Sequence, residues 1–179
     1  MHPRLIETLR EAQRFGFFGD RPIEEAVDHS QAYVVALGQM SPRSRIIDLG
    51  SGGGLPGLVL ADAFPDASVV LVDRRQKRTD FLQRAVRRLG WKHVEVVSAD
   101  AAVLIGEVDA GARAPFDSVT ARGFGPPEVT LRVAVALCRP GGRIVISEPP
   151  TGDRWDPGLL EELGVVSVSS GTVRVFERS

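Results

Sequence analysis

One glycine-rich stretch constrains this chain more than any other feature. The run Ile46–Leu49 has the apolar character of a buried strand, and four glycines within the next five residues cannot continue it. Such glycines tolerate positive φ and let a ligand approach the backbone. Pro56 lacks an N–H group and has a preset φ, which suits the first turn of a helix. The stretch therefore predicts a strand, a glycine turn and a helix whose free N–H groups point at the turn.

Two cofactor classes fit this turn. The run Gly52–Gly57 satisfies the dinucleotide pattern G-x-G-x-x-G, and Asp73 follows at about the expected spacing of twenty residues. Asp48, inside the strand end, would repel a pyrophosphate but attract the amine and sulfonium of S-adenosylmethionine (SAM). Asp73 is placed to accept hydrogen bonds from ribose hydroxyls in either case. We therefore favour SAM over NAD, with cofactor contacts predicted from Asp48, Gly50, Gly52, Gly54 and Asp73.

Three other interpretations of the turn remain. An NAD-dependent oxidoreductase would use the same glycines for a pyrophosphate. A glycine-rich connection could bind nothing, although consecutive glycines carry a folding-entropy cost without helping the core. A non-catalytic RNA-binding module would bind RNA with an affinity that depends on salt concentration and does not depend on the cofactor.

Beyond the turn, strand-like and helix-like segments alternate. Strands are predicted at Ser68–Val72, Val94–Ser98, Phe116–Ala121 and Arg143–Ser147, and helices at about Thr79–Leu89, Asp100–Ile105 and Pro127–Leu137. This order requires right-handed crossovers and gives an α/β fold, a parallel sheet with helices on both faces. After a helix near Pro157–Leu163, the runs Val165–Ser169 and Thr172–Glu177 predict an antiparallel hairpin, turning at Ser170 and Gly171, at one sheet edge.

The first forty residues are predicted to be helical, with a break at Phe15–Gly19 and a second segment from about Pro22 to Leu37. The three phenylalanines of the break, Phe15, Phe17 and Phe18, are expected in the core rather than in a base-stacking platform. His29 is either an ordinary helix residue or a base, and we keep it as a candidate catalytic residue.

Composition narrows the class of protein. At 179 residues and 43% hydrophobic content, the chain fits one domain, with a helical extension over residues 1–40 and a SAM-binding core over 44–179. The net charge of −1 gives no overall attraction to nucleic acid or membrane. A single cysteine excludes an internal disulfide, no run is long enough to span a bilayer, and no His/Cys cluster has metal-ligand spacing. We expect a cytoplasmic monomer without a metal.

The densest charge run is basic. It comprises Arg74, Arg75, Lys77, Arg78, Arg84, Arg87, Arg88 and Lys92, opposed within it only by Asp80. On the predicted helix, three of these arginines point away from the apolar face: Arg84, Arg87 and Arg88. They form either a solvated helix face or a contact surface for RNA phosphates.

Two further candidates follow predicted strands. Asp100 comes directly after the third strand and, with Ala101 and Ala102, is a candidate for recognising the adenine of SAM. Its other role is a helix N-cap, and both can hold. Arg122 follows the fourth strand and opens onto the same crevice, which favours a ligand or substrate role over a surface salt bridge.

These motifs together resemble a known family. The run Asp48–Gly57, then Asp73 with Lys77-Arg78-x-x-Phe81-Leu82, then Phe116-Asp117 and Ala121-Arg122-Gly-Phe124, is similar to the GidB (RsmG) family of 16S ribosomal RNA guanine-N7 methyltransferases, over about Ile46 to Ile146. The resemblance implies a class I SAM-dependent methyltransferase fold and an rRNA or small ribosomal subunit substrate. It also implies SAM contacts from Gly50, Leu55, the Ala101-Ala102 backbone and Arg122.

The chain departs from the family pattern in its substrate half. An Asn-Leu-Thr element is missing near the N-terminus, Ala102 replaces an acidic residue, and Glu148-Pro149 replaces Lys-Gly after the fifth strand. Glu148 would make the pocket near that strand more acidic, which disfavours an RNA backbone there. Another RNA or a small-molecule acceptor is therefore the alternative substrate.

Overall fold

The computed structural model describes residues 1–149, 154–169 and 171–179. Within those residues the chain forms one seven-stranded sheet in the order β3-β2-β1-β4-β5-β7-β6. The strands are β1 Arg45–Leu49, β2 Ser68–Asp73, β3 Val94–Ser98, β4 Phe116–Ala121, β5 Cys138–Ser147, β6 Val165–Ser169 and β7 Val173–Arg178. The first five pair in parallel, whereas β7 pairs antiparallel with both β5 and β6. The predicted α/β fold is confirmed; Ser170 of the predicted hairpin turn lies outside the described residues.

Seven helices are present in the described part of the chain. They are α1 Leu5–Arg14, α2 Ile23–Leu37, α3 Gly57–Ala63, α4 Gln76–Leu89, α5 Ala101–Asp109, α6 Pro127–Leu137 and α7 Pro157–Glu162. Their ends follow local chemistry: the Asp100 carboxylate accepts a hydrogen bond from the Ala102 N–H at 3.0 Å and so caps α5. Gly90, in the left-handed region with φ 71°, ends α4. None of these helices is long and apolar enough to cross a membrane.

The sheet separates two apolar cores. Ile46 and Ile47 are adjacent in β1 and both are fully buried, one in each core. Because successive side chains of a strand point to opposite faces, both faces of β1 must be covered. Helices α1 to α4 cover the first face, and α5 to α7 cover the second. The ligand-accessible part of the sheet is therefore the edge where the parallel strands end.

The fifth strand is longer than the sequence indicated. It begins at Cys138 rather than Arg143, and its pairing with β4 shifts between Phe116 and Ser118. A Cβ at Gly142 would lie 2.5 Å from the Cys138 sulfur, so only glycine fits at this irregularity. The local sequence Pro140-Gly-Gly is typical of a turn, and these residues lie where the pairing with β4 is interrupted, between the Cys138 and Arg143 pairs.

The expectation that all three phenylalanines of the N-terminal break are buried is wrong for Phe15. Its side chain is 55% exposed, whereas Phe17 and Phe18 are partly buried against the first core. Helix α1 ends at Arg14 and the backbone turns at Gly16 with φ 73°, which leaves the Phe15 ring outside the core. The ring contacts the Phe17 ring in a tilted arrangement and the Phe81 ring edge to face.

Candidate functional site

The glycine turn lies at the edge where β1 and β2 end. Two of its glycines are required by close approach: a Cβ at Gly53 would lie 2.6 Å from the Phe18 ring, and one at Gly54, where φ is 106°, would lie 2.4 Å from Leu58 Cδ1. Gly54 therefore serves packing, and it lines neither of the pockets described below. Neither position has room for a side chain, because the Phe18 ring and Leu58 of α3 lie directly against the turn.

Asp73 fastens the turn to the end of β2. Its Oδ2 accepts a hydrogen bond from the Gly52 N–H at 3.0 Å, and its Oδ1 accepts one from the Arg75 N–H at 2.9 Å. Arg78 Nη1 approaches the same Oδ2 at 3.3 Å. The carboxylate is buried but borders a pocket, so its remaining lone pairs can accept hydrogen bonds from a ligand.

The first pocket, which we call the cofactor crevice, has a volume of about 370 Å³. Its lining includes Asp73, the segment Asp100–Ala102 and the apolar side chains of Ile105 and Phe124. An acidic group suited to ribose hydroxyls thus lines the same pocket as apolar side chains suited to a planar base. The sequence-predicted residues Asp73, Asp100, Ala101 and Ala102 are brought together here.

The second pocket, which we call the N-terminal pocket, has a volume of about 680 Å³ and lies between the glycine turn and the N-terminal helices. Its walls include His29 of α2, Gly52 and Leu55 of the turn, and Arg122 after β4. The two pockets share three residues, Gly50, Arg78 and Gly123, and so meet beside the turn. His29 and Arg122, far apart in the sequence, line one cavity.

Arg122 has a buried hydrogen-bond donor that is unsatisfied within the described residues. Its Nη1 is buried and has no hydrogen-bond partner among the described residues. A buried donor left unsatisfied costs about 1–3 kcal/mol, so an acceptor supplied by a ligand would relieve a penalty already present in the fold. Arg122 belongs to the wall of the N-terminal pocket, where such a ligand would enter.

Asp48 differs from its sequence-based prediction. The side chain is fully buried and lines neither pocket. Its Oδ1 accepts a hydrogen bond from Thr120 Oγ1 at 2.8 Å, and its Oδ2 accepts one from the Gly57 N–H at 3.2 Å. Burial raises the pKa of Asp48 to about 7, despite these hydrogen bonds. Direct contact with the cofactor is therefore corrected to a structural role: the residue links β1, β4 and the start of α3.

The outward arginines of α4 lie away from both pockets. Arg84, Arg87 and Arg88 are exposed, as the helical periodicity indicated. Arg88 pairs with Glu11 of α1 at 2.6 Å, and Arg87 donates from Nε to the Gln83 carbonyl of its own helix at 3.2 Å. Of the three, Arg84 alone has no partner among the described residues. Any RNA contact they make is outside the cavity.

Glu148 corrects the expectation of an acidic pocket near the fifth strand. Its carboxylate accepts hydrogen bonds from Arg154 Nε at 3.0 Å and Trp155 Nε1 at 2.9 Å, and Arg174 Nη2 lies 3.7 Å away. The side chain is 5% exposed and lines neither pocket. Two arginines offset its charge, so it does not repel an RNA backbone from the site.

Several pocket residues were not predicted as site residues. Arg78 borders both pockets, and the N-terminal segment contributes Phe17, Phe18 and Arg21 to one of them. A signal for Arg78 was present, because a residue five positions after Asp73 falls in the first turn of the next helix and returns over the strand end. No local signal indicated that the N-terminal segment folds over the glycine turn.

Comparison with known proteins places these features in a family context. The family model GidB, described as rRNA small subunit methyltransferase G, matches residues 4–148. The ribosomal RNA small subunit methyltransferase G of Sorangium cellulosum is 40% identical over 139 residues, covering 77% of this chain and 55% of the relative. That of Streptomyces avermitilis is 30% identical over 172 residues, covering 93% of this chain and 70% of the relative.

Solved structures agree on the fold. A SAM-dependent methyltransferase from Aquifex aeolicus superposes with a TM-score of 0.61 at 16% identity, covering 94% of this chain and 95% of the other. TrmN from Thermus thermophilus gives a TM-score of 0.59 at 24% identity, covering 84% of this chain and 48% of the other. The chain therefore has the class I SAM-dependent methyltransferase fold. It spans only 55%, 59% and 56% of three of its curated relatives.

Proposed function

The chain belongs to the GidB family of rRNA small subunit methyltransferases, and on that premise we propose that it transfers a methyl group from SAM to guanine N7 of ribosomal RNA. The observation that carries the proposal is the junction of two pockets at the glycine turn. One is suited to a nucleoside, and the other presents the unpartnered guanidinium of Arg122. A methyl donor and its acceptor can therefore meet beside Gly50.

The residues of the cofactor crevice fit SAM. Asp73 would accept hydrogen bonds from the ribose, and the Asp100–Ala102 segment would border the adenine beside Ile105. Because Gly50 and Gly52 have no side chains, they would leave room for the amino-acid end of the cofactor. When bound, SAM supplies an electrophilic methyl group on a sulfonium.

The proposed reaction requires the protein to position the acceptor nitrogen against the methyl group of SAM. It requires no proton transfer. Guanine N7 carries a lone pair and no proton, so its methylation needs the nitrogen held in line and no general base. Arg122 would supply the buried donor that orients the base, for instance through guanine O6, or that holds the cofactor carboxylate. His29, which lines the same pocket, would contact the acceptor rather than remove a proton.

The test is methyl transfer from labelled SAM to small ribosomal subunits that lack the N7 mark. We expect label in the 16S RNA at a guanine N7 and a loss of at least about a hundredfold in rate for Arg122→Ala, as for other lost positioning donors. Lys92 lies just before β3, at the amino-terminal ends of the strands and away from the site. Lys92→Ala is therefore the matched control, and its methyl-transfer rate should be unchanged. Label appearing only in small-molecule acceptors would exclude the rRNA substrate while leaving a methyltransferase.

The oxidoreductase alternative is separated by binding alone. Calorimetry with S-adenosylhomocysteine and with NAD, each titrated into the free protein, compares the two cofactors directly. We expect binding of the former and none of the latter, because the family model that matches the chain and a solved structure that shares its fold are methyltransferases. Preference for NAD would overturn the proposal.

A cytoplasmic monomer is also part of the proposal, because a ribosomal substrate lies in that compartment and one chain supplies both pocket walls. Light scattering coupled to size exclusion measures the mass in solution. We expect the mass of one copy of the chain, about 19.3 kDa.

A further inference from the structure

An exposed aromatic cluster borders the N-terminal pocket. It consists of Phe15, Phe17 and Phe81, and we call it the aromatic ridge. The Phe15 ring centroid lies 5.9 Å from that of Phe17 and 6.0 Å from that of Phe81. Phe81 and most of Phe17 are covered, whereas Phe15 is 55% exposed. The ridge therefore exposes the Phe15 ring to solvent, while the Phe17 and Phe81 rings beside it are mostly buried.

The segment that carries Phe15 is held in place by hydrogen bonds. The Gln13 side-chain amide donates to the carbonyls of both Gly19 and Arg21, at 2.7 Å each. The Phe17 N–H donates to the Ala12 carbonyl at 3.1 Å. A ring presented by a preorganised segment loses little conformational entropy when it binds, which favours a recognition role over an incidental exposure.

Cations without acidic partners surround the ridge. Arg84 lies three residues after Phe81 on α4, which makes the two side chains neighbours on the helix surface, and Arg14 ends α1 directly before Phe15. Neither arginine makes an ion pair within the described residues. Two acidic side chains on α1 and the start of α2 are paired, Glu11 with Arg88 and Glu24 with Arg10, whereas Glu7 and Glu25 make no ion pair within the described residues.

The ridge is continuous with the N-terminal pocket. Phe17 belongs to both, and the pocket wall also contains Arg21, the acidic Glu25, and Arg78, which pairs with Asp73. An RNA strand bound in the N-terminal pocket would therefore reach Phe15 by way of Phe17. This path offers aromatic rings on which bases can stack and guanidinium groups that can bind phosphates.

We propose that the aromatic ridge binds single-stranded RNA, with a base adjacent to the target nucleotide stacked on Phe15 and its flanking phosphates on Arg14 and Arg84. The inference rests on the proposed function, since it specifies the form of the RNA substrate. A single strand exposes base faces that can stack on an aromatic ring, whereas a duplex hides them. Polyanionic phosphates match the unpaired arginines. The methylated guanine then lies in an unpaired loop or bulge.

The test measures binding of a fluorescent single-stranded RNA and of the same sequence in a full duplex, by anisotropy at fixed salt. Phe15→Leu removes the aromatic face but keeps an apolar side chain, and we expect it to weaken single-strand binding roughly tenfold. Arg84→Glu should weaken it and reduce its salt dependence. Lys92→Glu makes the same charge change at the amino-terminal ends of the strands, and its affinity for the single strand should stay within twofold of that of the unaltered protein.

Two outcomes overturn the inference: Phe15→Leu binding single strands as well as the unaltered protein does, or the unaltered protein preferring the duplex. Affinity for S-adenosylhomocysteine, measured on the same variants, should not change because Phe15 is outside the cofactor crevice. If methyl transfer to RNA failed while Phe15-dependent single-strand binding persisted, the proposed function would fall and the RNA-binding ridge would stand. An acidic protein bound in place of RNA would also overturn the inference.

Discussion

The backbone N–H of Gly52 donates a hydrogen bond to the Asp73 carboxylate across 3.0 Å, joining the glycine turn to the end of the neighbouring strand. The two residues are 21 positions apart, and the contact is buried. One carboxylate thereby shapes the turn and borders the crevice that the turn helps to form. Cofactor affinity and local stability should depend on the same side chain.

Substituting Asp73 tests this coupling. Asp73→Ala removes every acceptor, so we expect S-adenosylhomocysteine binding to fall by at least tenfold and the free energy of unfolding to fall by about 1–3 kcal/mol. Asp73→Asn keeps one acceptor oxygen and should lose less of both. Calorimetry and urea denaturation measure the two quantities. Asp109→Ala, at the exposed end of α5, is the control, and equal effects from it would refute the coupling.

Gly54→Ala should destabilise the protein severely, by about 2–4 kcal/mol, because it combines positive φ with overpacking against Leu58. Gly106→Ala is the matched control: it lies within α5, nothing is within 4 Å of its added Cβ, and it should stabilise by about 0.5–1 kcal/mol. Thermal and urea unfolding of both variants measure the contrast. Similar losses in the two would mean that the turn accommodates a side chain.

The pH dependence of stability should carry the signature of Asp48. Burial raises its folded-state pKa from 3.8 to about 7, so folding favours the protonated form. This group's contribution to stability is full below about pH 4 and is lost as the pH rises through 7. The free energy of unfolding, measured in urea, should therefore fall over that window relative to Asp48→Asn. Parallel pH profiles for the two proteins would contradict the assignment.

Tyr33→Phe should separate positioning from binding. The buried Tyr33 hydroxyl donates to the Ala121 carbonyl at 3.1 Å, directly before Arg122 in the chain, and burial raises the pKa of this tyrosine. Its loss should cost about 1 kcal/mol of stability and lower kcat for methyl transfer, because the Arg122 backbone is less well held. Affinity for S-adenosylhomocysteine should be unchanged. A change confined to that affinity would show that the hydroxyl supports the cofactor side instead.

The sequence determined the features that depend on neighbours along the chain. Apolar runs of strand length, amphipathic spacing between them and a glycine turn before Pro56 were sufficient for the element order and the parallel sheet. The position of Asp73 at a strand end followed in the same way, since parallel strands end at one edge. Local periodicity determines these properties, and local periodicity can be read from the sequence.

Tertiary structure alone decided how side chains were distributed around that edge. Asp48 became a buried link because Thr120, 72 residues away, supplied its hydrogen bond. Glu148 was turned from the site by Arg154 and Trp155, although its sequence position predicted an acidic pocket. Each outcome rests on partners distant in the sequence, and burial and pairing are decided by such partners rather than by residue type.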